Sequence, residues 1–132
     1  MKNMSNSIFL TIHSIVYALF AIVLFVIPNI IWPNYGLQLN DRYSVFLSQH
    51  TSIFLGGIAI IGFMLKEVEH KSTIAQKLMM SLILTNVLGV IVTLYACFKG
   101  IFYGLGWSDP AFFTILSVFS FMQWKNNKNN KV

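Results

Sequence analysis

The feature that most constrains this chain is the uncharged run from Leu78 to Phe98. As an α-helix, a run of this length spans about 30 Å, which is the thickness of the hydrocarbon core of a bilayer. Three other runs are apolar over most of their length: 8–27, 44–65 and 111–124. The sequence therefore predicts an all-α integral membrane protein, a bundle of four transmembrane helices in one domain (1–132). We expect helices at about 7–31, 44–65, 73–98 and 109–124, with a disordered tail at 125–132.

Composition favours a membrane protein over a soluble one. Hydrophobic residues make up 56% of the chain, charged residues 10%, and the mean hydropathy is +0.69. Soluble domains carry about 25% charged residues, and the charges here cluster between the apolar runs. We expect the lipid bilayer to be the main partner and the cell membrane to be the location.

The basic residues indicate the orientation of the chain. The net charge is +5, but the lysines flank apolar runs and form no basic face with interleaved aromatic residues, so a nucleic-acid partner is not expected. Short loops rich in Lys and Arg stay on the cytoplasmic side, which predicts cytoplasmic N- and C-termini. On that side lie Lys2, Lys66, Lys71, Lys77, Lys125, Lys128 and Lys131, whereas Arg42 and Lys99 lie on the other.

Small residues line one face of the second and third helices. In a bilayer, helices associate through small residues that permit close contact. The small arc of the third run should therefore face protein, and its bulky arc should face lipid. The small arc holds Ser81, Thr85, Asn86, Gly89, Thr93 and Ala96, and the second run carries Ser48, Ser52 and Gly56 at four-residue spacing. The candidate helix-packing positions are Ser52, Gly56, Thr85 and Gly89.

Three polar side chains within the apolar runs are the candidate functional positions: Asn86, His13 and Tyr17. Ionisable or amide groups inside a membrane serve either as substrate or proton contacts or as hydrogen bonds between helices. Asn86 could contact a polar substrate, or it could bond to a hydroxyl on a neighbouring helix, such as that of Tyr17, Ser14 or Ser52.

Familiar catalytic and metal-binding patterns are absent from the sequence. The three histidines are predicted at different depths, and no HxxxH or HExxH spacing occurs. All four carboxylates fall in loops or at helix starts, where Asp109 is interpreted as a cap. Cys97 is the only cysteine, which excludes an intramolecular disulfide. We therefore expect no catalytic residue, no metal and no cofactor.

The order of these features resembles a known layout. A first helix ends in Pro and is followed by Pro33, Gly36 and Leu37; the second helix carries several glycines; the third holds a central Asn86; and a GLGW loop precedes a short fourth helix. This layout resembles small four-helix bacterial integral membrane proteins of unknown function, some of them distantly DoxX-like. The chain lacks the paired cysteines of redox-active members of such groups. The resemblance implies the fold and no particular activity.

Three functions remain open from the sequence. The first is a non-enzymatic accessory or interaction protein, either as a homo-oligomer or with a membrane-protein partner. The second is a small transporter or channel subunit that acts as an oligomer and uses Asn86, His13 and Tyr17 as a polar line. The third is a membrane enzyme or a protein that binds a quinone or lipid.

Overall fold

The computed structural model describes residues 4–128, which contain five α-helices, one 3-10 turn and no strand. The helices are α1 (Asn6–Val26), α2 (Pro28–Asn34), α3 (Arg42–Met64), α4 (Thr73–Phe98) and α5 (Ser108–Asn127), and the 3-10 turn covers Gly104–Trp107. The predicted all-α fold class is confirmed. Four of these segments (α1, α3, α4, and α5 with the turn before it) are long and apolar enough to cross a membrane.

Short polar residues start three of the long helices. The Ser5 hydroxyl accepts from the Ile8 amide at the start of α1, and the Asp41 carboxylate accepts from two amides at the start of α3. Such bonds satisfy amides that have no partner within the helix. At the start of α4 the Ser72 hydroxyl accepts from the Ala75 amide.

The first apolar run is divided into two helices. The sequence placed one helix over about 7–31, but α1 ends at Val26 and α2 begins at Pro28. Proline has no amide proton and clashes with the preceding turn, so it is accommodated at the first position of a helix rather than inside one. The expected plain connection after the first helix therefore contains a second, seven-residue helix.

The last helix continues beyond its expected end at Trp124. It reaches Asn127, so Lys125, Asn126 and Asn127, which were assigned to a disordered tail, are helical. The reason is tertiary contact: the Asn127 amide bonds to the Asn6 side chain and accepts from the backbone of Lys71. Residues 129–132 of the predicted tail lie outside the described part of the chain.

The four long helices pack chiefly as two pairs, α1 with α3 and α4 with α5. Small residues allow close approach in both pairs. A Cβ atom built at Gly62 would lie 2.6 Å from the Ser14 hydroxyl oxygen, and one at Gly89 would lie 2.5 Å from the Phe113 ring. At Gly62 and Gly89, therefore, a side chain of the neighbouring helix packs directly against the glycine backbone.

The predicted two-sided character of α4 holds with one exception. Asn86, Thr93 and Ala96 are buried, whereas the bulky arc, including Leu84, Ile91 and Phe98, is exposed. Ser81, expected on the packed face, is exposed, and Leu82 is buried in its place. The larger side chain packs against Phe9 and Leu10 of α1, where it makes more van der Waals contacts than a serine would.

Contacts at both ends join the two helix pairs. At the terminal end, where α1 begins and α5 ends, the amide side chains of Gln123 and Asn127 both bond to the Asn6 side chain; we call these three the terminal cluster. At the opposite end, which we call the loop end, Trp32, Tyr35 and Phe102 pack together as an aromatic cap. There the backbone amide of Tyr103 also donates to the Tyr35 carbonyl at 3.0 Å.

Candidate functional site

A buried polar cluster lies where α1, α4 and α5 meet, near the middle of the long helices. Asn86 is fully buried, and Tyr17 and His13 are 2% and 1% exposed. The Tyr17 hydroxyl donates to Asn86 Oδ1 at 2.7 Å, and Asn86 Nδ2 lies 3.1 Å from His13 Nε2 and 3.5 Å from the Ser120 hydroxyl. The structure thus brings the three candidate polar positions together and adds Ser120.

The hydrogen bonds of this cluster determine where the imidazole proton sits. Asn86 Nδ2 donates to the Leu82 carbonyl at 2.9 Å, and a carbonyl can only accept, so this contact fixes the orientation of the amide. Nδ2 is therefore the donor to His13 Nε2, and the neutral ring carries its proton on Nδ1. His13 also stacks on the Tyr17 ring with a centroid distance of 4.7 Å.

Of the three hydroxyls considered as partners for Asn86, the structure selects that of Tyr17. Ser52 instead donates to the Gln49 carbonyl within α3. Ser14 is buried in the seam with Gly62 and has no hydrogen-bond partner among residues 4–128. The amide of Asn86 thus joins helices through the hydroxyls of Tyr17 and Ser120 and the imidazole of His13.

A cavity of about 250 Å³ lies between the helix pairs on the loop-end side of this cluster. Tyr17 and Phe20 line it toward the middle of the helices, and the aromatic cap with Asp109 lines it toward the loop end. Of the three candidate polar positions, Tyr17 lines the cavity, whereas His13 and Asn86 are not among its lining residues. The polar cluster therefore lies behind one end of the cavity. Of the three candidate positions, Tyr17 alone contributes to the cavity surface.

The cavity reaches the side of the protein between α3 and α4. Its lining includes Thr51 of α3 and Val92 of α4, both of which are exposed; Val92 has 63% of its surface accessible. From the exposure of these two lining residues we infer that the cavity opens at the side of the protein near them. A molecule could therefore enter from the side, between these two helices.

Aromatic rings line the loop end of the cavity. The Trp32 indole donates to the Ser48 hydroxyl at 2.6 Å, which fixes its ring. Burial raises the pKa of Tyr35 above its usual value, and the Asp109 charge nearby raises it further against the opposing effect of Ser108. Tyr35 consequently remains a neutral hydroxyl donor at physiological pH.

Asp109 does not cap α5 as the sequence suggested. The residue at the N-cap is Trp107, which makes no side-chain cap bond, and Asp109 lies within the first turn. Asp109 is half-buried and is one of the residues that line the cavity. The local pattern Ser-Asp-Pro is typical of a helix start, and it contains no sign that the helix begins against a cavity.

The four candidate packing positions have different surroundings. Ser52 is buried in α3, and Gly89 lies directly under the Phe113 ring. At Gly56 an added Cβ would be in ordinary contact with Ala21, at 3.8 Å. Thr85 is half-buried and bonds to the Ser81 carbonyl of its own helix.

Sequence analysis missed two groups of residues. Nothing in the sequence indicates that Trp32 and Tyr35 meet Phe102. The terminal cluster was also missed, although Gln123 and Asn127 lie four residues apart on one helix face, which was an available signal. Their common partner, Asn6, lies more than a hundred positions away in the chain.

Other titratable residues add no second site. Within residues 4–128, no group of three or more His, Cys, Asp or Glu side chains is placed to hold a metal ion. His50 is exposed between Phe46 and Phe54 on α3, and Cys97 is buried as a free thiol.

The resemblance to DoxX-like proteins stays a prediction. Comparison of the chain with protein-family models, with curated proteins and with solved structures found no match in any of the three.

Proposed function

We propose that this chain is a multi-pass protein of the cell membrane that binds a small, largely apolar molecule taken from the bilayer. In this proposal both termini are cytoplasmic, and the protein acts as a non-enzymatic accessory protein. A homo-oligomer or a membrane-protein partner would be compatible with that role. The polar cluster supports the cavity, and the cavity holds the bound molecule.

The outer surface of the helices supports a bilayer location. Large apolar side chains are exposed on every long helix, far beyond the isolated examples found on water-soluble proteins. Examples are Ile12, Leu19 and Ile22 on α1, Phe46, Phe54 and Ile60 on α3, Leu84, Leu88 and Ile91 on α4, and Ile115, Val118 and Phe119 on α5. Such a surface is stable against lipid and costly against water.

The observation that carries the proposal is that two residues lining the cavity, Thr51 and Val92, are exposed at the side of the helices. Small-molecule sites are typically concave and mostly apolar, with a few polar groups that fix orientation. The surface of this cavity is almost entirely apolar, with Tyr17 among its lining residues at one end and Tyr35 among those at the other. Its opening faces the side of the helices, where a membrane-dissolved molecule would arrive.

The alternative of a polar pathway through Asn86, His13 and Tyr17 receives less support from the geometry. Asn86 uses its carbonyl oxygen on Tyr17 and its amide nitrogen on His13 and Leu82. Groups that bond to one another across helices serve packing rather than a passing solute. The third possibility from the sequence, binding of a lipid- or quinone-like molecule, fits the cavity more closely.

The proposal is tested by titrating purified protein in nanodiscs with neopentylbenzene, a neutral apolar probe of a size suited to the cavity. Trp32 lines the cavity, so its fluorescence reports occupancy. We expect saturable binding to the wild type and binding weakened about fivefold or more by Val92→Phe, because the larger ring narrows the opening.

Leu88→Phe is the matched control. Leu88 lies one turn before Val92 on α4, is 62% exposed and is not among the cavity-lining residues. It should bind the probe like the wild type. Absence of saturable binding to the wild type, or equal effects of the two substitutions, would contradict the proposal.

A further inference from the structure

Aromatic rings make up much of the cavity wall. Half of the residues that line the cavity are aromatic, whereas aromatic residues make up 15% of the chain. The lining rings are the three of the aromatic cap, Tyr17 and Phe20 of α1, and Phe112 and Phe113 of α5. The surface of the cavity is almost entirely apolar. It therefore offers a ligand many ring contacts and almost no hydrogen bonds.

The rings hold one another in place. The centroids of Phe20 and Phe112 are 4.8 Å apart, and those of Phe112 and Phe113 are 5.4 Å apart. Within the aromatic cap the centroids are 5.7 to 6.1 Å apart, and the Trp32 indole is also bonded to Ser48. These distances lie in the range of favourable aromatic pairs. A wall that is already ordered loses little free energy to rearrangement when it binds a ligand.

The origin of the ligand decides which contacts favour binding. Lipid tails are as apolar as a leucine side chain, so an apolar molecule that moves from the bilayer into the cavity removes no further surface from water. The hydrophobic effect therefore contributes little to this step. An aliphatic molecule meets similar surroundings in lipid and in the cavity. An aromatic molecule gains in the cavity, because pairs of aromatic rings are stabilised beyond the area that they bury.

From this arrangement we propose that the molecule bound in the cavity is uncharged and enters it with an aromatic ring. The ring lies between the aromatic cap and the pair of Phe20 and Phe112, and a charged group is disfavoured because the wall offers it no polar compensation. This inference rests on the proposed function and names the class of ligand. Cavities of about 150 Å³ hold benzene, so the volume of about 250 Å³ accommodates one ring with a branched substituent.

The experiment compares an aromatic probe with its saturated analogue. Neopentylbenzene and neopentylcyclohexane are both uncharged and carry the same branched substituent on a six-membered ring. Neopentylbenzene is titrated by Trp fluorescence into the full chain in nanodiscs, and neopentylcyclohexane is measured by its displacement of neopentylbenzene. Both affinities are expressed per mole fraction of probe in the lipid, so that a difference in partitioning between the two probes cancels.

Two variants test whether the rings of the cavity cause the preference. Phe20→Leu/Phe112→Leu removes two rings that contact each other and keeps apolar side chains at both positions. Phe119→Leu is the matched control, since Phe119 also lies on α5, is 47% exposed and is not among the cavity-lining residues.

We expect the wild type to bind neopentylbenzene about fivefold or more tightly than neopentylcyclohexane, because several rings of the wall contact the aromatic probe. The double variant should reduce this preference to about twofold or less, and its remaining binding of neopentylcyclohexane shows that it is folded. Phe119→Leu should retain the preference of the wild type.

The possible failures separate the inference from the proposed function. Equal binding of the two probes by the wild type, or tighter binding of neopentylcyclohexane, would reject the aromatic ligand and leave the proposed function standing. The same rejection would follow if the double variant kept the full preference, or if Phe119→Leu reduced it equally, because the rings of the cavity would then not be its cause. Failure of neopentylbenzene to bind the wild type would reject the proposed function together with the inference.

Discussion

Asn86 shows how one amide can connect three helices. Its oxygen and nitrogen reach Tyr17 and His13 on α1, Leu82 on its own helix and Ser120 on α5. In a bilayer no water can replace these partners. Each such bond contributes only about 0.6 kcal/mol on average in membrane proteins, and at most about 1.7 kcal/mol. Asn86 therefore contributes to the stability of the protein because it takes part in several of these bonds at once.

Replacing this amide should weaken the protein measurably. We expect Asn86→Leu to lower the free energy of unfolding by about 1–2 kcal/mol, because it leaves the Tyr17 hydroxyl and the His13 ring without their partner. The measurement is reversible unfolding in mixed micelles. Thr85→Val is the control: that hydroxyl bonds within its own helix, and its loss should cost about 0.5 kcal/mol or less. Equal losses in the two variants would contradict the connecting role of Asn86.

At the scale of elements, the pairing of α4 with α5 depends on a glycine. The Phe113 ring of α5 lies where a side chain on Gly89 would be. Because the ring atoms near Gly89 include the one attached to the Phe113 side-chain stem, rotation of a distal group cannot relieve the contact. The two helices can approach this closely only because Gly89 has no Cβ.

Gly89→Ala should therefore destabilise the protein by about 1–3 kcal/mol through overpacking. Gly57→Ala is the matched control, since an added Cβ there meets nothing within 4 Å. It should leave stability unchanged or raise it by up to about 1 kcal/mol, because alanine favours the helix. Thermal unfolding of both variants in detergent tests this. The second variant Gly89→Ala/Phe113→Leu should recover part of the loss; if it does not, the contact with Phe113 is not the cause.

The elements also show what the sequence could and could not predict. The long helices follow from apolar runs, and the importance of Asn86 follows from its isolation in such a run. The end of α5 could not be predicted in this way, because Asn127 is held in the helix by Asn6 from the other end of the chain. Asp109 was misinterpreted for the same reason: a helix-start pattern is local, whereas the cavity beside it is made by residues of four other segments.

For the whole molecule, the proposed orientation can be tested by chemical labelling. In a Cys97→Ala background, Asn29→Cys in α2 and Glu69→Cys in the α3–α4 connection place single thiols at exposed positions at opposite ends of the protein. The excess of lysines at the terminal end predicts that this end is cytoplasmic. A membrane-impermeant maleimide added to intact cells should label Asn29→Cys and spare Glu69→Cys. Permeabilised cells should show both labels. The reverse pattern in intact cells would contradict the orientation.

The ties at the two ends of the helix pairs have a consequence for the space between them. Amide side chains fasten the pairs at the terminal end, and the aromatic cap with the Tyr103–Tyr35 backbone bond fastens them at the loop end. Because contacts join the helix pairs at both ends, the pairs cannot move toward each other and close the cavity between them. In the proposed function, a molecule that binds therefore enters a cavity that is already formed, and little binding free energy is spent on rearranging the protein.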